Sequence, residues 1–187
     1  MTSGWSVFLM RNMTIVQMRT SVGIVLTLLA FSALVSGCIP QEEPLTWEKL
    51  SEDWGAPVEY MYKENAPRAV VIIDQDSANS LRNQLRPSHL DLIAKTDFSV
   101  YLIVVIYQGR KGSTGYSVEV TNVQRKDRTI TIDAQFHEPA PRDLTNPLVT
   151  SPYYVLKIKK TPGLKDEFTF VLIVNEQEVT RQTHRIP

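Results

Sequence analysis

The chain has 187 residues, 43% of them hydrophobic, a length and composition suited to one domain with a core of its own. Twenty basic residues balance twenty acidic ones, so no field of one sign invites nucleic acid and no charge run marks a disordered tail. A single cysteine excludes internal disulfides.

The N-terminus carries an address rather than a fold. Ser21 to Val35 is an uncharged apolar run, shorter than the roughly 20 residues of a spanning helix. Arg11 and Arg19 precede it and the small residues Ser36 and Gly37 follow, the three parts of a secretory signal; Met13 and Met18 are alternative starts to Met1. The lone cysteine, Cys38, comes next. Val35-Ser36-Gly37-Cys38 is similar to the bacterial lipobox, with Val35 where Leu is preferred. That resemblance implies a lipoprotein signal peptide over residues 1–37, cleavage before Cys38, and diacylglycerol and palmitate-type acylation of its thiol. Two or more acyl chains hold a protein firmly on a membrane. The mature protein, residues 38–187, would then sit extracytoplasmically on the cell membrane or the outer membrane of the cell envelope. Ile39 offers no inner-membrane retention signal.

Residues 38–46, with Pro40 and Pro44, read as a tether. Leu45, Trp47, Leu50 and Trp54 follow at helical or irregular spacing, closed by Gly55 and Pro57. Val58–Lys63 alternates as a strand, and Ala69–Asp74 reads as a more buried one. Ser77 or Asn79 is placed to cap a helix containing Leu81 and Leu85, and Ser88 to cap a short turn through Leu90 and Ile93. Phe98–Gln108 is apolar on both faces and predicts a central strand. Alternation then recurs at Tyr116–Val120, Ile130–Phe136, Tyr154–Ile158 and Phe168–Val174, with turns at Lys126–Arg128 and Pro162–Gly163, and Val179 in a short closing strand. The pattern predicts an α+β, mostly β domain over residues 47–187: a small antiparallel barrel or sandwich with a short helical segment before the central strand.

Gly109, Gly112 and Gly115 could suggest a phosphate loop. Their spacing fits neither the Walker nor the dinucleotide pattern, and a strand rather than a helix follows. The sequence instead predicts a hairpin turn with Arg110 and Lys111 at its exposed tip.

The series of Phe98, Gly112, Gly115-Tyr116-Ser117-Val118, Pro139, Pro152-Tyr153 and the lysine-bearing strand after it resembles the C-terminal domain of the protease complex subunit PrcB family, over roughly residues 95–161. Thr114 and Arg142 stand where the family often has glycine. Family members are typically exported or lipid-anchored, and the name comes from a lipoprotein that assists a surface protease complex. The resemblance therefore implies a protein-binding or stabilising module on a bacterial lipoprotein, with an envelope protein, a protease among the candidates, as partner.

An enzyme is not expected. His89, His137 and His184 stand in no HExxH pattern, no serine lies in Gly-x-Ser-x-Gly, and the thiol is committed to lipid. Asp74 and Asp76 lack EF-hand spacing. The sequence names no catalytic residue, metal ligand or cofactor. Tyr107, Arg110, Lys111, Tyr116, Tyr153 and Tyr154 form a candidate interaction patch, since tyrosine brings contact area with few rotors. A small-molecule or glycan-binding envelope lipoprotein is the alternative.

Overall fold

The computed structural model describes residues 41–54 and 61–187. The expected signal segment, with Val35, Ser36, Gly37 and Cys38, lies outside the described residues, as does Val58–Tyr60 of an expected strand.

Nine strands and two helices occur among these residues. The strands are β1 (Glu43–Pro44), β2 (Trp47–Asp53), β3 (Arg68–Ile72), β4 (Tyr101–Tyr107), β5 (Ser117–Lys126), β6 (Thr129–His137), β7 (Tyr153–Lys159), β8 (Asp166–Val174) and β9 (Gln177–Ile186); the helices are α1 (Gln75–Asn79) and α2 (Pro87–Ala94). One sheet has the order β1-β5-β6-β8-β9 and the other β2-β7-β4-β3. They form an open sandwich rather than a closed barrel. The inner core joins Leu102, Val104, Ile106 and Leu156 of one sheet to Val123, Ile130, Phe170 and Leu172 of the other. The opposite face of the four-stranded sheet carries Ile103, Val105 and Val155, covered by Leu81, Leu85 and Ile93 of the helical segment. β4 and β7 are therefore apolar on both faces because both faces are covered, while β5 and β6 alternate because one face meets water.

Three local expectations change. The segment Trp47–Asp53 is a strand, not a helical stretch. Trp47 packs toward the inner core and Leu50 toward the helical side, and a bulge between Lys49 and Ser51 leaves Leu50 without a register partner and sets Ser51 opposite Val155 on that same side. Breaking the period of two in this way mimics helical spacing. Met61–Lys63 is not part of a strand. The first helix also begins earlier than expected. Asp74 is its N-cap, accepting from the Ser77 N–H at 2.7 Å while Ser77 Oγ accepts in return from the Asp74 N–H. Leu81 and Leu85 follow in turns, and Pro87 opens α2 at its first position.

Not all pairing is antiparallel. β6 and β8 run parallel, Ile130 opposite Phe170 and Ile132 opposite Leu172. After β6 the chain crosses to the other sheet, runs back as β7 between β2 and β4, and crosses again into β8. Two crossings restore the original direction, so β7 does what a crossover helix does in a parallel unit. The domain also starts earlier than residue 47. Glu43 and Pro44 pair with Arg125 and Gln124, the Leu45 N–H donates to the Val123 carbonyl at 2.9 Å, and the Leu45 side chain is in the core. His184 belongs to the ten-residue β9, opposite Phe168, rather than to a loose end.

Candidate functional site

The topology gathers the chemistry-bearing loops at one end of the sandwich. β4 ends there at Tyr107, β5 starts there at Ser117, β6 ends at His137, and β2 and β7 meet as Asp53 opposite Tyr153. The glycine loop is not a hairpin, because β4 and β5 belong to different sheets. It is the crossing between them. Gly109 (φ +88°) and Gly115 (φ +96°) supply left-handed backbone at its two ends, whereas Gly112 needs no such freedom. Nor is the loop a free tip. The Lys111 N–H donates to the Thr150 carbonyl and the Thr150 N–H to that of Lys111, at 2.8 and 2.9 Å. Thr150 Oγ1 donates to Ser113 O at 2.9 Å, and the Asn146 N–H donates to Thr114 Oγ1 at 3.0 Å. The crossing is thereby laced to the 138–152 loop into one platform.

That platform divides the expected patch. Tyr107, Tyr153 and Tyr154 are buried, so their rings offer no outer surface. Their faces are used inside, with Tyr107 lying 4.8 Å from Tyr62 and 5.7 Å from Tyr153 by ring centroids. Arg110 borders a separate depression with Met61, Lys63 and Val149. Lys111 and Tyr116 do come together, the ammonium 5.0 Å from the ring centroid. Sequence reasoning missed their neighbours: Trp54 and Leu148 are 61% and 54% exposed and line one open groove with Thr114, Gly115, Tyr116 and Ser117. A Trp at the end of a strand just before Gly-Ala-Pro was the available signal. The next groove shares Trp54 and is polar, edged by Lys49, Glu52, Glu119 and His137. His137 Nε2 lies 3.0 Å from Glu119 Oε2.

Beneath this surface lies a polar cluster that the sequence did not disclose. Asp53, buried at the end of β2, accepts two hydrogen bonds from the Arg86 guanidinium, from Nε and, at 3.1 Å, from Nη2. The Tyr153 hydroxyl accepts the Arg86 backbone N–H at 3.3 Å, lies 2.7 Å from His89 Nδ1, and reaches Asp53 Oδ2 at 3.5 Å. Burial pushes the Tyr153 phenol up and the His89 imidazole down, which favours the neutral form of both rings. The Asp53 hydrogen bond in turn raises Arg86. Burial, followed by Glu52 and Glu119, pushes the neighbouring Tyr154 phenol to about 12. None of these phenols is poised to ionise. The chemistry available to the cluster is that of a clip, tying the start of α2 to β2 and β7. Among the described residues no three His, Cys, Asp or Glu side chains converge as a metal site.

Comparison with curated proteins and with solved structures gives no match. A family model does match, over the span that builds the glycine crossing, both of its flanking strands and the loop laced to it: residues 102–159 correspond to the PrcB C-terminal domain.

Proposed function

We propose that this protein is a lipid-anchored, extracytoplasmic binding module that docks another envelope protein through the Trp54–Tyr116–Leu148 surface and stabilises the complex it joins. The observation that carries this reading is the surface itself. Large apolar side chains sit in solvent at one end of the sandwich, on a platform fixed by backbone hydrogen bonds rather than on a floppy tip. Rigid aromatic anchors beside a cation suit protein recognition, because little side-chain freedom is lost on docking. The PrcB C-terminal match supports a partner of the protease-complex class, and the Val35–Cys38 motif supports the anchor.

A glycan-binding reading draws on one specific feature, the exposed Trp54 indole beside the polar Glu52–Glu119–His137 groove. The two readings separate in one experiment. A photo-crosslinking residue is placed at Tyr116 or Leu148 of the full-length protein in its own membranes, with Arg128, in the β5–β6 turn at the opposite end of the sandwich, as control. A discrete protein adduct from 116 and 148 but not from 128, lost with Trp54→Ala, is expected. No adduct at 116 and 148, or the same bands from all three positions, rejects protein docking there. Retention of purified envelope polysaccharide, again lost with Trp54→Ala, favours the glycan instead. Cys38→Ala tests the anchor separately, through loss of acyl labelling and of membrane fractionation.

A further inference from the structure

The two ends of the sandwich differ in their distance from the point where the chain enters the fold. The chain enters the fold at β1, and Glu43 is locked opposite Arg125, one residue from the end of β5. At that end lie the β5–β6 turn, the β7–β8 loop and the C-terminus of β9, with Asp166 opposite Ile186 and Lys126 opposite Thr129. The Trp54–Tyr116–Leu148 surface is at the other end, because β5 runs its whole ten-residue length from Ser117 to Lys126 between them. At about 3.4 Å per residue that is a separation of roughly 30 Å. Only Ile39–Glu42 stands between Cys38 and Glu43, and five fully extended Cα steps reach about 18 Å at most.

From these lengths we infer that the β5–β6 turn and the β7–β8 loop form a membrane-apposed end, seated on the headgroups of the bilayer that holds the lipid, and that the Trp54–Tyr116–Leu148 end is presented away from it. The inference rests on lipidation at Cys38. A tether of about 18 Å keeps the β1 end within that distance of the surface and excludes a body roughly 30 Å long standing with that end uppermost, and the polar groups of the β1 end favour upright seating on the headgroups over lying flat. Composition agrees with contact rather than insertion. The two loops and the strand ends beside them expose charges of both signs suited to the headgroup layer, among them Lys126, Arg128 and Lys165 with Asp127, Asp166 and Glu167. Of the exposed large apolar residues, Trp54 and Leu148 sit at the opposite end, and Val100, 36% exposed, lies beside the β7–β8 loop. Because the charges balance, chain length sets the orientation, and screening by salt has little to remove.

The test uses full-length, acylated protein in vesicles of phosphatidylethanolamine and phosphatidylglycerol. A single environment-sensitive fluorophore is attached at Arg128→Cys, Lys165→Cys or Leu148→Cys, with a nitroxide on a fraction of the headgroups as quencher. Quenching several-fold stronger at 128 and 165 than at 148, unchanged in high salt, is expected. Equal quenching at the three sites, or stronger quenching at 148, overturns the orientation. A preference that vanishes in high salt overturns the tether as its cause. Inserting a long Gly/Ser linker after Pro40 is expected to erase the difference, and a difference that survives the linker also overturns the tether argument. Mass spectrometry of the same sample reports on Cys38. An unmodified thiol sinks the anchor itself, whereas an acylated thiol with reversed quenching sinks only the orientation.

Discussion

At the scale of single residues, the Asp53–Arg86–Tyr153–His89 cluster is where charge and burial meet. His89 packs edge-on against Tyr153 with ring centroids 5.7 Å apart, and the groups that bear on it are Tyr153, Asp53 and Arg86. Burial is the largest influence and favours the neutral ring; Asp53 opposes it and Arg86 reinforces it. Folding therefore lowers the pKa of this histidine from its usual 6.5. As pH falls below that value the unfolded chain takes up a proton that the folded one resists, so the stability contribution, full above 6.5, is lost as pH drops toward the folded value. Denaturation by urea at about pH 7.5 and about pH 5.5 is expected to show a fall in midpoint that His89→Gln reduces. His184, also held neutral by burial, keeps part of the fall. An identical fall in the variant would place the proton elsewhere. None of this was legible beforehand. Asp53 and Arg86 are 33 positions apart and Asp53 and Tyr153 are 100 apart, and a pairing made by two strands of one sheet and a helix leaves no trace in local spacing. The same holds for Tyr107, Tyr153 and Tyr154, whose ring chemistry suits a surface and a core equally.

At the scale of elements, legibility depended on how many faces a strand buries. β5 and β6 were readable because water meets one face and the core the other, and β4 because both faces are covered. β2 was hidden by its bulge. The glycine crossing shows a further limit: a hairpin and a passage between sheets use the same turn residues, and only the partners of the flanking strands distinguish them. The three glycines nonetheless make a graded test of the crossing. A Cβ on Gly109 would enter the backbone carbonyl of Asn65, and its φ is +88°. On Gly115, φ +96°, a Cβ would lie 2.9 Å from Pro139 Cβ, a side-chain neighbour with somewhat more room to shift. On Gly112 it would meet nothing within 4 Å. Gly109→Ala is expected to cost most, about 3 kcal/mol or more; Gly115→Ala about 1–3 kcal/mol; and Gly112→Ala within about 0.5 kcal/mol of neutral. Urea denaturation of the three variants measures this order, and a large cost at Gly112 would contradict the geometry of the crossing.

At the scale of the whole molecule, two apolar cores share the same strands. Leu102, Val104 and Ile106 point from β4 into the space between the sheets, while Ile103, Val105 and Tyr107 point from the same strand under the helical segment; β7 divides in the same way, Leu156 one way and Val155 the other. Neither core can lose β4 or β7 without the other losing half its wall, so the layers should melt together although their side chains form separate clusters. Leu102→Ala and Ile103→Ala each delete a fully buried aliphatic side chain, one from each core, and each is expected to cost about 2–5 kcal/mol. The informative measurement is made with two probes. Trp47 packs against the inner core and Trp54 is exposed, whereas Tyr62, Tyr107 and Tyr153 belong to the helical side and Tyr154 to the inner one, so in a Trp54→Phe, Tyr154→Phe background tryptophan fluorescence reports mainly on the inner layer and the near-ultraviolet tyrosine signal mainly on the helical one. Coincident midpoints are expected in the parent and in both variants. If Ile103→Ala shifts the tyrosine signal while tryptophan fluorescence stays in place, the helical layer melts by itself. The two central strands would then not couple the cores, and the clip from Asp53 through Arg86 and Tyr153 would be tying α2 to a sheet that stands without it.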